Sequence, residues 1–138
     1  MLQQILIYQT GSNGAFRVQQ FAKDGKGFSR PSGPYIEVAA KNADKLYETI
    51  VRCLQRNATG RYRAHKASPS EVQRRLREDK LVGIERIPNK TTGQWTYTIV
   101  AYERYGSAFR SIAEINVSER KFAKDTVQIV LNAFERIP

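Results

Sequence analysis

A chain of 138 residues can bury one hydrophobic core but not two, and 41% apolar residues is too many for a disordered segment, so one domain over 1–138 is expected. The 23 Lys and Arg against 13 Asp and Glu leave a net charge of +10, a field that draws polyanions to the surface. The single cysteine, Cys53, excludes an intrachain disulfide, and with His65 the only histidine there is no Cys/His set for a structural zinc, so neither metal nor cofactor is expected.

The apolar run inside Met1–Tyr8 lacks a basic leader and is too short for a signal peptide or a membrane span, which points to a cytoplasmic protein. Ile5, Leu6, Ile7 and Tyr8 followed by Gly11-Ser12-Asn13-Gly14 predict a β-hairpin with its second strand near 15–22. Between Lys23 and Pro34, glycines and prolines interleave with Lys23, Lys26 and Arg30, which reads as a basic loop. Its Gly25-Lys26-Gly27 is no phosphate-binding loop, because the Gly-Lys-Ser/Thr spacing and a following helix start are missing.

Tyr35-Ile36-Glu37-Val38-Ala39 reads as a third strand, and Asn42 as the N-cap of a helix over about 43–56. Leu46, Ile50, Cys53 and Leu54 form that helix's core face, opposite Lys45, Glu48, Arg52 and Arg56. After the polar stretch Asn57 to Ala67, Ser68-Pro69-Ser70-Glu71 is a capping box with proline at the first helical position. It predicts a surface helix over Pro69–Asp79, apolar only at Val72 and Leu76.

Three strands are expected near 81–87, 94–103 and 108–116, divided by Pro88–Gly93 and by Arg104–Ser107. Ser118 then caps a closing helix to about Glu135, whose Phe122, Val127, Ile129, Val130, Leu131 and Phe134, with Ile137 beyond it, face the sheet. The fold class is therefore α+β, with an antiparallel sheet and order β-β-β-α-α-β-β-β-α. Halves 1–56 and 81–138 are joined by the basic segment 57–80. Apolar positions fall at the same offsets after Asn42 and Ser118, the pattern of a doubled β-β-β-α unit with its helices on one sheet face. In element order alone this resembles the Whirly-type and Pur-type single-strand binders; no motif diagnostic of either is present.

Charge is concentrated in the middle of the chain. The 29 residues from Arg52 to Lys80 hold nine of the 23 basic side chains: Arg52, Arg56, Arg61, Arg63, Lys66, Arg74, Arg75, Arg77 and Lys80. Only Glu71, Glu78 and Asp79 oppose them. Arginine predominates, and a guanidinium grips phosphate with two parallel hydrogen bonds where an ammonium is a point charge. Tyr62 lies between two of these arginines. Trp95, Tyr97, Tyr102 and Tyr105, flanked by Arg86, Arg104 and Arg110, supply the ring faces on which unpaired bases stack. The plainer alternative is that Trp95 and Tyr97 share a strand face with Ile99 and belong to the core. The candidate nucleic-acid-binding set is the nine basic residues with Tyr62, Trp95 and Arg110.

These features favour a non-enzymatic nucleic-acid-binding protein that grips phosphates with its arginine-rich segment. Single-stranded DNA or RNA is preferred over duplex because strands outnumber a convincing recognition helix. Helix 69–79 with strands 81–87 and 94–103 could form a recognition helix and wing, but the preceding helix is too distant for the usual short turn. A second class is an inhibitor or immunity-type module whose basic face covers an acidic protein. A third is a metal-free ribonuclease with His65 as proton carrier among Arg61, Arg63 and Lys66, though no second acid or base has an evident place. Cys53 reads as core, and Glu37, Glu85, Glu103 and Glu114 as paired surface charges, so no catalytic residue is assigned. No helix can be spared from the core for a membrane surface. An open sheet edge leaves room for a homo-oligomer.

Overall fold

In the computed structural model, residues 2–11, 13–59, 69, 80–106 and 108–138 are described. Alternating apolar and polar residues build six strands: β1 (Gln3–Gln9), β2 (Phe16–Lys23), β3 (Ser29–Val38), β4 (Lys80–Pro88), β5 (Trp95–Tyr105) and β6 (Ala108–Ser118). They form one antiparallel sheet in the order β3-β2-β1-β4-β5-β6. Its centre is the β1/β4 pair, in register from Gln3↔Arg86 to Gln9↔Lys80. A three-stranded meander extends outward on each side.

Two helices, α1 (Ala43–Thr59) and α2 (Glu119–Glu135), pack on the sheet, giving the order βββαβββα among the described residues. α1 lies on β1, β2 and β3, α2 on β4, β5 and β6, and the two helices touch. Both caps are as the sequence predicts. Asn42 Oδ1 accepts from the Lys45 amide at 3.1 Å, and Ser118 Oγ from the Lys121 amide at 3.2 Å, satisfying donors that a helix start leaves open. α2 departs from helical geometry at Asp125 (φ −124°, ψ 29°), next to the buried Thr126, whose hydroxyl donates to the Phe122 carbonyl.

One core fills the space between helices and sheet. Ile5, Ile7, Phe16, Val18, Val38, Val82, Ile84, Tyr97 and Ile99 meet Leu46, Ile50, Cys53 and Leu54 from α1 and Phe122, Ile129, Val130 and Phe134 from α2. Cys53 is fully buried, and removal from water pushes its thiol up to about 11 from an ordinary 9.0.

Two helices lie among the described residues; the surface helix expected over 69–79 lies outside them except for Pro69. One expectation changes. The basic loop expected over 23–34 is mostly strand, because β3 begins at Ser29 and pairs with β2 through Gln20↔Ser32 and Phe21↔Pro31. Prolines deter a central strand, but β3 is an edge, where one flank needs no ladder partners. A register shift between Val18 and Gln20, with Gly33 at φ 71°, accommodates the interruption, since only glycine enters that region without strain.

Candidate nucleic-acid interface

Register determines which side chains share a face of the sheet. On the helix side the aromatic residues of β5 are committed to packing. Tyr97 is 6% exposed and its ring stacks on Phe122 at 4.0 Å and 10°; Trp95 is half-buried against the core. Arg86 closes this end. Its guanidinium stands 4.2 Å from the Trp95 ring, Nε donates to Gln3 Oε1 at 2.6 Å, and Nη1 donates to the Tyr97 hydroxyl at 3.1 Å.

The opposite face carries a second aromatic set. Tyr8 meets Tyr35 edge-on at 5.7 Å and Phe109 at 6.3 Å, so three rings run from β3 through β1 to β6. The Tyr8–Phe109 contact passes over β4 and β5, so the rings converge above this end of the face. An arginine stands over each outer ring: Arg17 4.7 Å from Tyr35 and Arg104 5.1 Å from Phe109. Arg17 is only 2% exposed. A guanidinium withdrawn that far from water needs compensating partners, and the Tyr35 ring is one of them.

Beside this row lies a depression of about 130 Å³ lined by Leu6, Phe21, Gly83, Val100 and Tyr102, with Gln4 and Glu85 at its polar side. Gly83 lets the Tyr102 ring lie close here, since a Cβ at this position would meet that ring at 3.3 Å. Burial, with the charges of Glu85 and Glu114 nearby, raises the Tyr102 hydroxyl above its ordinary value.

Of the residues singled out from the sequence, Arg52 and Arg56 project from the exposed side of α1. Lys80 and Arg110 are brought together at one end of the sheet, in one cross-strand row through Glu103, whose carboxylate Arg110 contacts at 2.6 Å through Nε. Trp95 pairs with Pro88, eight residues along the ladder from that row, about 27 Å away. Arg61, Tyr62, Arg63, Lys66, Arg74, Arg75 and Arg77 lie outside the described residues, as does His65. Tyr8, Arg17, Tyr35 and Phe109 were missed. Their spacing within each strand put them opposite the core, but their convergence depends on a strand order that spacing does not encode.

The shifted carboxylates do structural work. Asp125 is held low by a hydrogen bond from Lys121, whose ammonium is 2.8 Å away. Partial burial raises Asp24, but amide hydrogen bonds from Phe28 and Lys26 and the charge of Arg30 outweigh it and hold the carboxyl low. Among the described residues no group of three His, Cys, Asp or Glu side chains is placed to hold a metal ion, and no helix is long and apolar enough to cross a membrane. No protein-family model, curated protein or solved structure matches this chain.

Proposed function

We propose that this protein is a non-enzymatic nucleic-acid-binding domain whose preferred ligand is a single strand of DNA or RNA. The observation that carries this reading is the row Tyr35, Tyr8 and Phe109 with Arg17 and Arg104 over its outer rings. Rings offer faces to bases, the partly exposed Arg104 guanidinium attracts phosphate while the buried Arg17 holds the Tyr35 ring, and the +10 charge accelerates encounter with a polyanion. The arginine-rich stretch from Arg52 to Lys80 adds phosphate contacts of the bidentate kind. The βββαβββα order, each helix on its own meander, supports reading the chain as a doubled βββα unit.

The test is a fluorescence-anisotropy titration against single-stranded DNA, single-stranded RNA and duplex at several salt concentrations. Affinity should be highest for a single strand and should fall steeply with salt, because each neutralised phosphate releases counterions. Binding that is weak and flat with salt for all three ligands would overturn the proposal. Tight binding to an acidic protein in its place would favour an interaction module.

A further inference from the structure

The two most exposed large apolar side chains among the described residues are both aromatic: Phe28 and Tyr105, each 65% exposed. They occupy matching places. Phe28 ends the β2–β3 turn and Tyr105 begins the β5–β6 turn, the outer hairpin of each meander. Isolated surface rings need no explanation, but these two stand among cations. Lys23, Lys26 and Arg30 flank Phe28 in the chain, and Arg110 lies 4.7 Å from the Tyr105 ring with Arg104 adjacent in sequence.

Neither ring hangs from a loose end. The Asp24 carboxylate accepts the Lys26 and Phe28 amides at 2.9 and 3.0 Å and contacts Arg30 at 3.6 Å, while the Asp24 amide donates to the Phe28 carbonyl at 2.9 Å. At the other tip, Arg110 is hydrogen-bonded to Glu103 across the hairpin. An aromatic ring held out to water at the end of a hairpin, with cations beside it, is suited to stack a base while neighbouring charges hold the phosphates.

β2 and β5 run in opposite directions, so the two tips stand at diagonal corners of the sheet. Four inter-strand steps across and roughly eleven residues along separate them by about 40 Å measured over the sheet. That is about a dozen nucleotides at duplex spacing, and fewer if the strand is extended.

We infer that the β2–β3 and β5–β6 hairpin tips are the two ends of one binding track, each stacking a base of the same single strand on Phe28 or Tyr105. The inference rests on the proposed function and adds the path and length of its ligand. Two linked contacts raise affinity only once the strand spans both, because the second contact then forms within the complex.

The experiment measures anisotropy of labelled oligothymidylates, from about five to about twenty nucleotides, with the full chain and with Phe28→Ala, Tyr105→Ala and Ile87→Ala. Ile87 is 52% exposed but aliphatic, and serves as the control. Parent affinity should step up with length and level off near a dozen nucleotides. Phe28→Ala and Tyr105→Ala should each lower affinity for the longest strand roughly tenfold and abolish the step, while Ile87→Ala leaves both unchanged. Thermal melts of all three variants should match the parent. Parent binding without a length step, or a loss at one tip only, overturns the two-ended track and leaves the proposed function standing. A parent that binds no oligothymidylate or RNA strand at low salt overturns both.

Discussion

The two faces of the sheet use the same chemical pair, an arginine over an aromatic ring, toward different ends. On the helix side, Arg86 over Trp95 is also hydrogen-bonded to Gln3 and Tyr97, and the rings below it continue into Phe122. Those rings are part of the core. On the other face, Tyr35, Tyr8 and Phe109 are partly buried and meet edge-on with no helix among the described residues behind them, with Arg17 and Arg104 over the ends of the row. Aromatic and cationic residues on a strand therefore do not announce a binding platform; the packing behind the ring decides.

Four substitutions or conditions separate the faces. The largest effect should come from the helix side. Phe134→Ala removes a buried ring that packs on Phe16 at 5.5 Å, and urea denaturation should show a loss of about 3–5 kcal/mol. Nucleic-acid affinity of the remaining folded protein should be unchanged. Next, Tyr8→Ala on the opposite face should weaken single-strand binding by about 1–3 kcal/mol in an anisotropy titration, the range for one lost stacking ring. If Tyr8→Ala lowered stability with no loss of affinity, both faces would be structural.

Gly83→Ala should have a smaller effect, about 1–2 kcal/mol of stability by denaturation, because the new methyl presses on the Tyr102 ring. The depression beside the aromatic row should be disturbed with it. The effect confined to the narrowest conditions is the titration of Cys53. Its folded thiol is raised to about 11 from 9.0, so the stability it contributes is complete below pH 9 and is lost as pH rises through about 11. Comparing denaturation of the parent and Cys53→Ala across that window isolates the thiol from lysines and tyrosines titrating nearby. Alkylation at pH 8 should be slow until the protein is unfolded.

Much of the fold was legible because its signals are local. Asn42 and Ser118 are caps whose side chains bond amides three residues on, and alternation along β5 marks the strand whatever lies beside it. The stretch Pro31 to Pro34 misled for the converse reason. Proline and glycine are turn residues locally, and only a place at the sheet edge makes them admissible in a strand. Of the candidate site, Lys80 and Arg110 share a row because β4, β5 and β6 are paired in registers that no strand specifies alone.

By itself the sequence determined five of the six strands, the two capped helices with their buried faces, and a net positive charge, since each depends on spacing or composition within a short stretch. Tertiary structure decided the order β3-β2-β1-β4-β5-β6, and with it that Trp95 and Tyr97 turn toward the helices while Tyr8, Tyr35 and Phe109 converge on the other face. Strand order assembles residues far apart in the chain, and a side chain's face acquires meaning only when the strands beside it are known.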